Sequence, residues 1–421
     1  MKLVIFEDDQ FEQFYPLAYV RGIFDLKTGA TTLGEKIARA SGTGVDAVLL
    51  RSLLTAVTSE AHPGVAVNDL SGCQGQEVLF VNARVCGIGW SVPTEPDAQW
   101  KDDRLAVWRT REDVTKIADY TALAEAARSA PRAEFEGTWF GYIWDLMLAN
   151  PEMLVADFEA ADRSGIEGEM HPQAAVFGPD KRLYVGPGAR VHPFVCIDTH
   201  QGPVTLEEGV EVHPFTRIEG PCYVGRDSIL LGAKVREGCS IGPMCRVGGE
   251  IEESILHGYS NKYHDGFLGH SYVGEWVNLG ALTTNSDLKN DYTGVSVKIG
   301  KRTIDTGSPK VGSFIGDHVK TSIGTLLNTG TFVGTMALLM ATGSPLPKTI
   351  PAFSWYLNAT FSKGFGLEAL LKTARTTTAR RGRPLTESDE SVLRDVHGQT
   401  KPERDETIRR ARRIAASRQG T

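Results

Sequence analysis

From Val185 onward the chain repeats with a period of six. Aliphatic residues stand at Val185, Val191 and Ile197, then at Leu206, Val212, Ile218 and Val224. After a one-residue slip the series resumes at Ile229, Val235, Ile241 and Val247. It restarts at Phe267, Val273 and Leu279, and again at Ile315, Thr321, Leu327, Val333 and Leu339. Glycine often follows the aliphatic position, as in VGPGAR, VGRDSI, IGPMCR and VGEWVN. Six residues are too few for a helical repeat and are the signature of a hexapeptide parallel β-helix. Each hexad supplies one short strand and a turn, and three hexads close a triangular coil. The aliphatic side chain points into the prism, and glycine permits the tight corner. Coils of this kind bury their faces only against neighbouring coils, so the ends of the stack need caps.

The repeat divides the chain into three regions: 1–162, 172–355 and 356–421. In the first, KLVIF and EVLFVNARV read as buried strands, being short apolar runs with β-branched and aromatic content. TTLGEKIARA and DYTALAEAARSA read as helices between and after them. This alternation predicts an α/β domain with a largely parallel sheet, placed to cap one end of the prism. WFGYIWDLMLANPEMLVADFEAAD reads as a helix leading out of it. The third region is helix-prone and basic at its end (RDETIRRARRIAASR), with acids interleaved, which fits a solvated helix face that covers the other end or the side.

The 421 residues carry a net charge of −7, which argues against general nucleic-acid binding but leaves room for a local basic pocket. No stretch approaches the roughly 20 apolar residues that span a bilayer, and MKLVIFEDDQ lacks the pattern of a signal peptide. The six cysteines include no C-x-x-C pair, so a reducing cytoplasm is the simplest home.

At residues 278–292, NLGALTTNSDLKNDY, the beat is kept at Leu279 and then dissolves into polar residues. HDGFLGHSYVGEWVNLGALTTN (264–285) resembles the core of the GlmU-type bifunctional enzymes. These join a sugar-1-phosphate nucleotidyltransferase domain to a left-handed β-helix acetyltransferase. Their pattern there is a histidine, three residues to an aromatic, then GD, and further on N-[IF]-G-A-G-T. Here it reads His264, Phe267, GH at 269–270, and NLGALT from Asn278. The likeness continues through IGDHVKTSIGTLLNTGTFVG and LPKTIP, and is closest to an alternative bacterial branch of the family. It implies a Rossmann-like nucleotidyltransferase-type domain, a left-handed parallel β-helix and a helical C-terminal extension.

The first domain departs from that family. EDDQFEQFYPLAYVRG stands where a Gly-rich phosphate loop is expected. Asn82-Ala83-Arg84 replaces a G-D pair whose carboxylate holds Mg²⁺, and an arginine cannot take that place. Arg21, Lys27 and Arg84 are candidates for a phosphate. The domain is either an enzyme with rearranged chemistry, using Mg²⁺ if active, or a scaffold.

The resemblance implies that His264 is the base that takes a proton from a substrate amine, a task suited to a group that titrates near working pH. Alternation along a strand turns Asn278 outward beside the inward Leu279. Arg236 stands where relatives carry a phosphate-binding arginine, and Lys262 is a weaker candidate. The polar excursion is expected to reach a neighbouring protomer, with Asn285, Lys289, Asn290 and Tyr292 placed to bind substrate. One departure is that Asp287 falls where some relatives place an asparagine. Two VHPF copies put His192 and His213 in corresponding hexads. Repeat duplication accounts for them without a metal.

The expected activity is therefore acetyl transfer from acetyl-CoA to glucosamine-1-phosphate or a similar amino-sugar phosphate in a cytoplasmic homotrimer. A uridylyl transfer from UTP would follow. The alternatives are a nucleotidyltransferase whose β-helix only trimerises, and a non-catalytic sugar-nucleotide-binding scaffold.

Overall fold

The computed structural model describes residues 1–419. The first domain is built on a seven-stranded sheet, in the order 66–67, 45–49, 2–6, 78–82, 104–110, 98–101 and 132–134. Strand Lys2–Phe6 is flanked in parallel by Val45–Leu49 and Val78–Asn82. Val78–Asn82 is buried along its whole length, as a central strand should be when it lies between the parallel Lys2–Phe6 and the antiparallel Arg104–Thr110. Helix α1 (Leu33–Ser41) begins at a capping box between Thr32 and Glu35 and ends at Gly42 with φ of 66°. The Tyr120 segment forms a helix over Tyr120–Ala127. The expected exit helix is two helices, Ile143–Leu148 and Asn150–Ala161, separated at Ala149 just ahead of Pro151. The lack of an N–H makes proline suit a helix's first turn.

From Gly165, ahead of the expected start at 172, the chain winds into a three-sided parallel β-helix whose sheets run on to Ser362, past the expected 355. On the first face, one residue per coil stacks into a continuous inward ladder. It runs through Val185, Leu206, Val224, Ile241, Leu256, Val273, Ile315, Val333 and Ile350. The second face stacks Val191, Val212, Leu230 and Val247 in the same way. The slip expected at Ile229 is displaced, because Leu230 holds the inward register while Ile229 is only half-buried. Later coils shorten at their corners, as between Val247 and Ile251, which is why the strict period fades there in the sequence. Lys262, Thr321 and Asn285 are polar ladder positions: Lys262 pairs with Val247, Thr321 with Leu339 and Asn285 with Leu327.

The first domain lies along the side of the prism instead of capping its end. Asn150 Nδ2 donates to the Gly238 carbonyl at 2.8 Å, Ser240 Oγ donates to the Gly29 carbonyl at 2.7 Å, and the Lys27 N–H donates to the Tyr272 hydroxyl at 2.7 Å. The polar excursion also folds back. It forms a hairpin of Ser296–Ile299 with Arg302–Asp305, and Val295, Val297 and Ile299 join the core that contains Leu3, Phe14 and Trp144. Helices Leu367–Ala379 and Glu387–Gln419 close the remaining groove. Their Leu371, Ala374, Leu393 and Val396 pack in one cluster with Tyr19 and Leu54 of the first domain and Phe332 and Phe353 of the prism. No helix among the described residues is long and apolar enough to cross a membrane.

Candidate functional site

His264 stands on the corner between the second and third faces, and its imidazole is exposed. The corner is held from inside. Lys262 occupies an inward ladder position, is 1% exposed, and donates from Nζ to the His264 carbonyl at 2.5 Å. Burial pushes this amine down to about 8. Lys262 therefore does not face a substrate phosphate; it pins the turn that presents His264. Gly266, with φ of 125°, completes the turn where a Cβ would stand 2.3 Å from the Thr283 carbonyl of the next coil.

Beyond His264 the same corner carries exposed apolar side chains. Leu282 is 59% and Ile323 72% exposed, and Met340 is partly so. Successive coils bond in register here, Leu282 N–H to the Asp265 carbonyl at 2.7 Å and Gly324 N–H to the Ala281 carbonyl at 2.8 Å. Asn278 faces outward on the second face, where its Oδ1 accepts from Asn261 Nδ2 at 3.0 Å. Asn261 Oδ1 accepts in turn from Arg381 of the C-terminal helices at 2.7 Å. One coil on from Asn278 lies Lys320, which the sequence reading passed over. Burial pushes its amine down to about 8, and its protein partner is the Trp276 carbonyl.

Asn285, Lys289 and Arg236 are held by groups of their own chain. Asn285 is buried, and its side chain takes up the Gly269 N–H and carbonyl at 2.9 Å each, replacing a ladder where the strand breaks. Lys289 donates to Thr293 Oγ1 and the Gly294 carbonyl of its own loop. Asn290 and Tyr292 are exposed at the tip of that loop, which packs against its own chain. Arg236 lies 2.7 Å from Glu252, 3.5 Å from Glu237 and 4.0 Å from Glu219. Three carboxylates make the field there unfavourable to a phosphate.

Two sequence departures turn out to be one feature. His270, which replaces the Asp of the family's GD, is buried with Nδ1 2.8 Å from Asp287 and Nε2 3.4 Å from Glu253. Asp287 is the second departure, falling where the resemblance places an asparagine in some relatives. Burial opposes protonation of the ring, but the two carboxylates outweigh it and push His270 up to about 9. The pair ties the root of the polar excursion to the prism.

In the first domain, the crevice beyond the strand ends is the default ligand site of an open α/β sheet. Here it is filled by ion pairs. Arg84 is 1% exposed. Its Nε lies 3.0 Å from Asp8, and it donates to Gln13 Oε1 at 2.7 Å and to the carbonyls of Gln10 and Gly141 at 2.7 and 3.0 Å. It clamps the segment that stands in for the Gly-rich loop and has no fork left for a phosphate. Glu7 pairs with Arg51 at 2.9 Å, and Asp9 with Arg104 at 2.6 Å. With Glu7, Asp8 and Asp9 each held by an arginine, the residues present do not fit a Mg²⁺ ion. Arg21 and Lys27 lie at the junction of the two domains. Arg21 forms a two-point pair with Asp317 of the prism, at 2.6 and 3.1 Å, and lines a cavity of about 230 Å³ with His62, His257, His318 and Arg383. Lys27 Nζ donates to the His257 carbonyl at 3.3 Å, and burial lowers its pKa.

Residues 3–164 match the sugar nucleotidyl transferase family. A bifunctional sugar-1-phosphate nucleotidylyltransferase/acetyltransferase from Sulfurisphaera tokodaii is 34% identical over 148 residues, covering 32% of this chain and 35% of that protein. The bifunctional protein GlmU of an Acidovorax species is 35% identical over 120 residues, covering 26% of this chain and 24% of its own length. Over these stretches the chain is similar to GlmU-type bifunctional enzymes. The alignments span about a third or less of these two relatives. Among solved structures, an Arabidopsis UDP-N-acetylglucosamine acyltransferase aligns over 58% of this chain and 96% of its own, at 14% identity and a TM-score of 0.25.

Proposed function

We propose that the β-helix transfers an acetyl group from acetyl-CoA to the amine of an amino-sugar phosphate such as glucosamine-1-phosphate. The observation that carries this is the exposed His264 on a corner fixed from within by Lys262, next to a run of exposed apolar side chains that suits a thioester chain. The relatives described as acetyltransferases support the same reading.

The substrate amine attacks the thioester carbonyl carbon and a tetrahedral oxyanion forms. The C–S bond then breaks, and the thiolate leaves with the proton that His264 has taken from the amine. Held groups need no reorganisation as charge develops, and the rigid corner supplies that condition for the imidazole. Asn278 orients the sugar or the acetyl group through its outward amide. The cations that a phosphate requires are not provided by Arg236, Lys262 or Lys289 of the same chain. A homotrimer in a reducing cytoplasm, with a neighbouring protomer lining the cleft, meets that need.

Nucleotidyl transfer by residues 3–164 is the second reading, supported by the family match. The arginine-paired acids at the strand ends count against a metal-dependent version of it. Thiol release from acetyl-CoA tests the main proposal when glucosamine-1-phosphate is compared with glucose-1-phosphate. Release that requires the amine supports it. Equal release with both sugars, or none with any amino-sugar phosphate, overturns it.

A further inference from the structure

The sequence pairs His192 with His213 and offers no third ligand, but the fold brings one. Val191 and Val212 are inward partners in adjacent coils. Residues two apart on a strand share a face, so Arg190 and His192 project outward from one coil while Glu211 and His213 project from the next. The stacking of coils at the usual spacing of about 4.8 Å sets the imidazoles one above the other, with ring centroids 5.1 Å apart and planes 6° from parallel. Both Nε2 atoms converge on one carboxylate oxygen, Glu211 Oε1, at 3.1 Å from His192 and 3.8 Å from His213. The three donor atoms all lie within 4.8 Å of one another.

We propose that His192, Glu211 and His213 bind a divalent late first-row metal ion of the zinc, cobalt or nickel class. Two imidazoles and a carboxylate form a donor set typical of these ions, and metal–ligand bonds of about 2.0–2.2 Å place tetrahedral donor atoms about 3.3–3.6 Å apart. The observed separations bracket that range, so small side-chain rotations close the site. Three protein ligands leave the fourth position to water. All three side chains are half-buried on the outer face of the prism, which leaves room for that water. Arg190 lies 3.3 Å from the same Glu211 oxygen, and the ion binds by displacing it.

A second histidine–carboxylate group, Glu252, Glu253 and His270, has similar spacing but no free capacity. Both nitrogens of His270 already meet carboxylates, and Glu252 is held by Arg236 and Lys310. His171 lies one coil before His192 in the same column, since Met170 pairs with Val191. Its Nδ1 accepts from the Gln173 N–H at 3.1 Å, and it stands outside the cluster, so it serves as an internal control.

The test uses the full chain without a histidine tag, stripped with a chelator and titrated with Co²⁺. Visible d–d absorption reports coordination, and competition with Zn²⁺ gives the affinity. The expected result is one equivalent per chain. His192→Ala, Glu211→Gln and His213→Ala each weaken binding by more than about tenfold, while His171→Ala leaves it unchanged. The absence of a d–d band in the wild type would overturn the proposal. So would a band that persists undiminished when His192 and His213 are both replaced by alanine.

Discussion

Lys262 and His264 show how a buried side chain can position an exposed one. An amine in an apolar prism is costly unless it is bonded, and this one donates to the backbone carbonyl of His264. Replacing Lys262 with methionine keeps the volume but leaves the His264 carbonyl without its donor. The expected cost is about 1–3 kcal/mol of unfolding free energy, together with a fall in acetyl transfer larger than any change in KM. Denaturant unfolding and steady-state kinetics read the two effects separately. The amine has a second signature. Its folded pKa lies near 8 against 10.5 for the free side chain, so the unfolded chain binds more protons between those values. Its burden on stability is therefore relieved as pH rises through that window. At this scale the flanking pattern in the sequence singled out His264 as a candidate. It did not show that Lys262 was internal, because a lysine breaks the apolar beat and reads as surface.

The polar excursion after Leu279 is an element with its own anchors. One is the contact of His270 with Asp287 and Glu253, and the other is the apolar face of the 296–305 hairpin. His270 titrates near 9 in the fold and 6.5 when free. The stability it contributes is fully present below pH 6.5 and is lost as pH rises through 9. His270→Asn removes that dependence, and hydrogen exchange of residues 286–312 measures it locally. In the wild type, exchange protection of this segment, corrected for the intrinsic rate, falls between pH 6.5 and 9; in the variant it is low and flat. The excursion's existence was legible as a break in the period. Its destination was not, since the alternating Val295, Val297 and Ile299 mark a buried face without naming the surface that covers it. The prism itself was readable because the sixfold beat holds wherever coils are regular. It failed at Ile229 and after Val247, where shortened corners shift the register.

At the scale of the whole molecule, the two domains and the C-terminal helices form one packed body. Arg21 and Asp317 join the α/β domain to the prism across 296 positions of sequence, with Asp317 almost fully buried. No local pattern could have announced that pair, nor the placement of the first domain along the prism's side. Arg21→Ala strands a buried carboxylate and is expected to cost about 3–5 kcal/mol. Adding Asp317→Asn should return part of that loss, and a double-mutant cycle by thermal or denaturant unfolding measures how much. The fold class and the division into an α/β part, a β-helix and terminal helices were accessible from periodicity and resemblance. The filled crevice of the first domain was only half visible, as missing glycines and a misplaced arginine.

The proposed role of His264 is that of the base in an acetyl transfer built on the β-helix. The direct measurement is the rate of N-acetylated product formation from acetyl-CoA and glucosamine-1-phosphate by the wild type and His264→Ala, with folding of both verified. The wild type is expected to turn over measurably, and His264→Ala to lose about 10²–10⁴-fold in kcat with little change in KM. Wild-type kcat retained in His264→Ala would contradict that role.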